Sequence, residues 1–441
     1  MRLILLTGII CVLCLLALVR PRVGLYGYVW YTVMRPDILA YVTTANYFSS
    51  GLALCTLVGS LPYVIGRIDY IPRSRITMCL LLLLAMDGLS TATAVDSALA
   101  FTEFWPFLRS MLVLLLIPIL IETRAHLITL FLTCAGSIGV LGAKFGLFGL
   151  IHSNVRYSQG YGNIMDNNFV ALAFATGVPL CWYGSFLVPK GMFRVALWVA
   201  AFSSVIGVVL TYSRGGALAV AWALFLIAWR SKRRVFMIML MLVVGLVPAV
   251  YIAGEVYLDR LSTIKAPTEE GSAAGRITLI KIGLEIWKDF PITGVGFGRT
   301  NQQLMMPKYY QRVIDDDNFS WKVLHNTYVQ VLVDSGILGL LSFLLLLAVC
   351  VGTLRGSLRR LAGRDSAATA IPLALQTSVL AAFVGMTFLS AADTFWLLYV
   401  VLLTSAAWVN IERSEASTVA PVTARSINVA RKTPVAHLAN S

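Results

Sequence analysis

The sequence predicts an all-α polytopic membrane protein with about 12 transmembrane helices and one long polar insertion, and three observations lead there. Hydrophobic residues make up 58% of the 441 and charged residues 13%, with a mean hydropathy of +0.81, which is far too apolar for a soluble domain. Runs of near 20 apolar residues recur along the chain, each long enough to cross the roughly 30 Å hydrocarbon core of a bilayer. Only one stretch between spans, from about Gly254 to Leu324, is long and polar enough to fold in water, and it delivers His325 to the edge of the next span. The organisation expected is N-terminal transmembrane helices over 1–253, an extracytoplasmic loop domain over 254–328, C-terminal transmembrane helices over 329–411 and a disordered cytoplasmic tail over 412–441.

The net charge of +14 would suggest a nucleic-acid partner in a soluble protein, but here the excess has a position. The insertion holds nine acids and nine bases, so the surplus lies in short loops and the tail, as the positive-inside rule requires, and nucleic acid is excluded as a partner. All seven cysteines lie in apolar runs, which indicates neither a disulfide framework nor a zinc site.

In chain order, Leu3 to Val19 lacks a small-residue cleavage site at its end and reads as a retained anchor. Val23 to Met34 reads as a shallow segment. Spans follow near Phe48 to Gly66, Ile76 to Val95, Phe104 to Ile121 and His126 to Phe148, then, after a polar loop, near Phe169 to Val188, Phe193 to Tyr212, Gly215 to Trp229 and Val235 to Ala253. Tyr328 to Leu354, Pro372 to Ser390 and Thr394 to Ile411 complete the set. Basic clusters at Arg67/Arg73/Arg75, Lys190/Arg194, Arg230/Lys232/Arg233/Arg234 and Arg355/Arg359/Arg360/Arg364 fall on alternate loops, which makes those loops cytoplasmic. The Arg214 turn, the insertion and Asp393 then share the opposite side. A shallow Val23–Met34 gives 12 crossings and an N-terminus inside, whereas a full crossing there gives 13 and an N-terminus outside; the former is preferred.

Among candidate site residues, Arg214 sits in a short turn between Ser213 and two glycines, on the side where positive charge is disfavoured. A fixed guanidinium there suits a phosphate, which it grips bidentately, although an arginine at a span end also snorkels to headgroups. Arg276 opens a helix whose apolar stripe, Ile277, Ile280, Leu284 and Trp287, repeats at offsets of three and four, with Lys281, Glu285 and Lys288 on the other face. That makes it an amphipathic helix lying on the membrane or on the bundle. Gly294, Gly296 and Gly298 form a Gly-rich loop able to offer N–H groups to an anion or simply to turn the chain. His325, with Asn326 beside it, serves either as a hydrogen-bonded structural residue or as a base. Asp166-Asn167-Asn168, just before a span, reads as a helix cap.

Taken together, S-R-G-G at Ser213 to Gly216, G-R-x(10)-W-x(3)-P-x(2)-G-x-G from Gly275 to Gly296, and H-N-x-Y-x(7)-G-x(2)-G from His325 to Gly339 resemble the O-antigen ligase and polymerase superfamily of bacterial envelope proteins. The resemblance covers about Asp166 to Leu345. RPRVGLYGYVWYTVMRPD near the N-terminus and the DNN before Phe169 look like the branch of putative O-glycosylation ligases associated with exosortase systems.

The resemblance implies a GT-C-like glycosyltransferase of the bacterial inner membrane, its active site facing the periplasm. It would move a glycan from a polyprenyl (undecaprenyl) diphosphate carrier to an acceptor hydroxyl or amine on the lipid A core of lipopolysaccharide, on a protein or on another glycan. Carried over, Arg214 and Arg276 hold the diphosphate and His325 handles the acceptor proton. Ser213, Lys281, Gly294, Gly296, Asn326 and Tyr328 line the substrates. No metal and no cofactor is implied. Arginines fit this chemistry, because a departing diphosphate needs its developing charge neutralised by a metal or by fixed cations, and a neutral histidine accepts a proton without bringing negative charge near it. Asp315-Asp316-Asp317 departs from the family pattern. Ligase activity is preferred over polymerase, from which it differs only in acceptor. A lipid-linked glycan transporter, polytopic and arginine-bearing too, is the alternative of another class, disfavoured by the absence of an internal repeat.

Overall fold

The computed structural model describes residues 1–40, 47–67, 74–151, 159–161, 164–235, 238–239, 243, 271–314 and 323–430. The expected span at Val235 to Ala253 and the aspartates Asp315 to Asp317 lie largely or wholly outside these residues. The protein is an all-α polytopic membrane protein. In chain order its helices begin with α1 (Arg2–Val19), α2 (Pro21–Met34), α3 (Pro36–Leu39), α4 (Tyr47–Arg67), α5 (Arg75–Ala92), α6 (Ser97–Leu114), α7 (Ile117–Leu120) and α8 (Arg124–Ile151). A short antiparallel pair, β1 (Gln159–Tyr161) and β2 (Ile164–Asp166), leads into α9 (Asn167–Gly184), α10 (Met192–Leu210) and α11 (Arg214–Trp229). The insertion contributes α12 (Gly271–Asp289) and α13 (Arg299–Ile314), and α14 (Thr327–Arg360), α15 (Ser366–Gly385) and α16 (Trp396–Ala430) close the chain. Among the described residues eight helical segments are long and apolar enough to cross a membrane, and the shorter α11 is apolar as well.

Helix α9 is the central post. It is buried along almost its whole length, because Ala171, Ala173, Ala175 and Gly177 let α8, α10, α11 and α15 close around it. One end of the bundle is basic: Arg22 and Arg67 both pair with Glu122, Arg230 binds Gln376 and Thr377, and Arg360 binds Glu412. The other end gathers the starts of α9, α11 and α14.

Helix α2 corrects the expected shallow segment. Its first turn lies at Glu122, at the basic end, while Val33 and Arg35 line a cavity with Phe169 and Thr394 near the other. Although only 14 residues long, it links the two ends, since α1 and α4 enclose it and spare it full contact with lipid. The turn at Arg20 therefore sets the amino end of α1 on the side of the candidate site, as in the 13-crossing arrangement. A second correction concerns the tail, expected to lose order at Glu412. Helix α16 runs past that point, with Glu412 held by Ser357 and Arg360 and Glu415 by Arg124.

Insertion helices α12 and α13 form a small core of their own: Leu279, Ile282 and Ile286 pack with Val295, Met306, Tyr309, Leu324 and Val333. The expected stripe of α12 is thus not its packed face. Ile277 and Leu284 remain exposed, because α12 offers a second apolar row at the same spacing, and that row meets α13 and α14.

Candidate functional site

The site is built from four chain ends. At the first, Asp166 caps α9 by accepting from the N–H groups of Asn168 and Phe169, so the cap reading of the DNN run holds. The two asparagines then reach sideways to the turn before α11. Asn167 Nδ2 donates to the Thr211 carbonyl at 2.7 Å, and Ser213 Oγ donates to Asn168 Oδ1 at 2.7 Å.

Ser213 is itself the cap of α11, accepting from Gly216 N at 3.1 Å, so Arg214 is the first residue of a helix whose amino end favours anions. The two glycines allow close packing on either side. A Cβ at Gly215 would lie 2.4 Å from Phe388 Cβ, and one at Gly216 would lie 2.2 Å from Ala171 Cβ. Tyr212, just before the cap, sits at φ 54°, a left-handed conformation that costs a tyrosine about 1–3 kcal/mol.

Arg276, on the second turn of α12, meets Arg214 in space. Its guanidinium is pushed below its ordinary pKa by burial first and by the Arg214 charge second, with Asp166 opposing. Two cations far apart in sequence thus come within electrostatic range of each other, with the Asp166 carboxylate acting against their repulsion.

His325 stands just before α14 with φ 52°, a left-handed conformation it shares at this end of the bundle with Arg35 and Tyr212. Its neighbour Asn326 caps α14 by accepting from Tyr328 N and Val329 N, and donates from Nδ2 to the Thr387 carbonyl. Since Phe388 packs on Gly215, this bond ties His325 to the Arg214 turn through the 3₁₀ segment Met386–Phe388. Tyr328 turns away, its hydroxyl donating to the Phe383 carbonyl at 2.7 Å and its ring on Phe383 and Phe343. Lys281 is exposed on the outer side of α12.

The Gly-rich loop has a different occupation from the one its sequence suggested. Helix α14 breaks at Gly336, which has φ 64° and ψ −165°, and residues 291–296 fit against the break. Ile337 N donates to the Pro291 carbonyl at 2.9 Å, while Val295 N and Gly296 N donate to the Val333 and Asp334 carbonyls at 2.9 and 3.1 Å. The N–H of Gly296 is therefore given to the protein rather than to an anion. Gly294 permits the close approach, since a Cβ there would lie 2.4 Å from the Val333 and Asp334 carbonyl oxygens.

Sequence reasoning missed Arg299, directly after this loop. Its guanidinium lies over the Phe169 ring, donates to the Ser390 carbonyl and Thr394 Oγ1, and faces Asp393 at 3.8 Å. Gln330, one turn beyond Asn326 on the same face of α14, donates to Asp393 Oδ1 at 2.9 Å. Asp87, Asp334 and Asp393 line one small cavity behind these groups. The i, i+4 spacing of Asn326, Gln330 and Asp334 was the available signal. Among the described residues no group of three His, Cys, Asp or Glu is placed to hold a metal ion.

Fold and site define a polytopic α-helical membrane protein with paired guanidiniums, a carboxylate and a histidine gathered at one end of the bundle. Residues 199–344, which hold Arg214, Arg276 and His325, match the family model described as O-antigen ligase. That part of the chain, and with it the candidate site, is thus similar to the O-antigen ligase family. Residues 1–168 match a family of unknown function (DUF5935). No curated protein matches the chain.

Proposed function

We propose that this protein transfers a glycan from a polyprenyl diphosphate to an acceptor hydroxyl or amine, on the extracytoplasmic side of the bacterial inner membrane and as a ligase. The observation that carries the reading is the convergence of Arg214 and Arg276, half-buried and mutually repelling, at the amino end of α11. An anion bearing two or more charges relieves that repulsion, and a diphosphate bridging two guanidiniums keeps its negative charge neutralised as it departs. His325, whose neighbour Asn326 is bonded to the Thr387 carbonyl next to the Phe388 that packs on Gly215, takes the acceptor's proton, and Asn168 orients Ser213 behind the anion.

In this reading α12, α13 and the segment leading into α14, the described residues of the insertion over 254–328, form the lid of the site. The basic end of the bundle is cytoplasmic by its charge. Transfer proceeds without divalent metal, the two arginines standing where a metal would otherwise neutralise charge. Glycan analysis of a deletion strain tests the acceptor. Long lipid-linked chains left unattached are the expected result, whereas accumulation of single lipid-linked units identifies a polymerase. With purified enzyme, EDTA leaves transfer unchanged; loss of activity restored by magnesium would overturn the arginine mechanism.

A further inference from the structure

Helix α12 has three sides, and among the described residues the bundle covers one of them. At ~100° per residue, Leu279, Ile282, Gly283 and Ile286 share the packed side. Lys281, Glu285 and Lys288 share a second, polar and mostly exposed. Ile277, Ile280, Leu284 and Trp287 form the third, on which Ile277 is 55% and Leu284 36% exposed. Arg276 falls on the border between the packed side and this apolar stripe.

The stripe is continuous with surface that already faces lipid. Trp287 Nε1 donates to the Pro291 carbonyl, the same carbonyl that accepts from Ile337 N at the break in α14. The next residue, Ile292, is 61% exposed and lies against Leu338. Leu338, Leu341 and Leu345, three and four apart on the spanning helix α14, are exposed on one face, which in a membrane means exposed to acyl chains. Following that face outward leads through Ile292 and Trp287 onto the stripe.

We propose that α12 is an interfacial helix, its Ile277/Ile280/Leu284/Trp287 stripe immersed in bilayer lipid at the end of the bundle that carries the site. The side chains fit this occupant: branched aliphatics at the centre, a tryptophan of the kind found at headgroup level, and Lys281 and Lys288 bordering the stripe on its polar side. One consequence rests on the reading above: a helix anchored in this way holds Arg276 at headgroup depth, where the diphosphate of a membrane-bound carrier lies. The docking itself does not depend on that reading.

The experiment uses the full chain in nanodiscs of phosphatidylethanolamine and phosphatidylglycerol, with its native cysteines replaced and a nitroxide placed singly at 277, 280, 284, 281, 285 or 288. Collision with oxygen should exceed collision with a water-soluble nickel chelate at 277, 280 and 284, and the order should reverse at 281, 285 and 288. Dominance of the chelate at all six positions would overturn the proposal, as would spin–spin broadening on the stripe, which would show a second copy there. Unsubstituted protein provides a check independent of labelling: a carbene-generating acyl chain should form adducts on the peptide spanning 277–287, and their absence would equally sink the idea. Both readouts are structural, so a failure of transfer chemistry leaves them unaffected.

Discussion

At the scale of single residues, the proposed function gives charge and proton transfer to different side chains, so the two can be separated. Arg276→Lys keeps one positive charge but gives up the planar fork, so both donor binding and departure of the diphosphate should weaken. His325→Ala should leave donor binding near its original strength and lower transfer by roughly 100- to 10,000-fold, the usual loss for a general base. Lipid-diphosphate binding and transfer, measured side by side on purified variants, check both. Near-normal transfer by the His325 variant would make the histidine structural, and loss of donor binding would move it into the diphosphate site. Ser213→Ala removes the α11 cap, the bond to Asn168 and with them the alignment of Arg214. Its expected cost is ~1 kcal/mol in stability, with a larger loss in transfer. Arg214 stood out because it sits at a span end on the side where positive charge is disfavoured, and His325 because it stands where the insertion meets a span, while Arg276 was singled out by the resemblance. The partners that orient them, Asp166, Asn168 and Thr387, were not, since each also reads as an ordinary cap or loop residue.

At the scale of elements, two motifs that look independent in the sequence are halves of one joint. P-x(2)-G-x-G supplies the segment 291–296, and the glycine of H-N-x-Y-x(7)-G supplies the break at Gly336 that receives it. A Cβ at Gly336 would lie 2.1 Å from the Ile292 carbonyl oxygen, in a backbone region that only glycine occupies readily. Gly336→Ala should therefore displace residues 291–296, speed amide exchange at Val295 and Gly296, and depress transfer without touching a charged group. Spacing revealed the glycines, but backbone-to-backbone bonding across such a distance leaves no side-chain signature from which to infer their partnership. Helix α12 teaches a similar lesson. Its periodicity fixed the helix, yet two apolar rows at the same spacing left its packed face undetermined until α13 and α14 were in place.

The α12–α13 pair should also respond to pH. The Tyr309 hydroxyl donates to Asp289 at 2.5 Å and, with Arg312, holds that carboxyl below its ordinary range. Burial, reinforced by Asp289, pushes Tyr309 up to about 12. The Asp289 contribution is complete above the usual carboxylate pKa of about 4 and fades as pH falls through the lowered value. The Tyr309 contribution is complete below about 10 and fades as pH rises through its raised value. Amide exchange in 279–286, corrected for intrinsic rates, should quicken in acid, and Tyr309→Phe should quicken it at neutral pH and blunt the acid dependence. An unchanged acid response in that variant would assign the effect to another carboxylate.

For the whole molecule, hydropathy made the fold class plain, because repeated spans and alternating basic loops are properties of long windows rather than of single contacts. The path of the first helices was not legible in the same way. A 14-residue segment is about 21 Å long, short of the hydrocarbon thickness, and only its enclosure by α1 and α4 lets it connect the two ends. This yields a topological prediction in which charge and packing are tested together. In a chain with its native cysteines replaced, cysteine at Lys288 or Lys308 should react with a membrane-impermeant maleimide from the extracytoplasmic side, and cysteine at Lys232 or Arg359 only from the cytoplasm. Cysteine at Arg2 should label with the first pair, because the α1–α2 turn lies at the Arg22–Glu122 end and α1 must rise from it. Labelling of Arg2 from the cytoplasm would restore the shallow reading of α2 and 12 crossings while leaving the site where it is. Labelling of Lys288 from the cytoplasm would be more serious, since the paired arginines would then face the cytoplasm and the proposed extracytoplasmic transfer would lose its site.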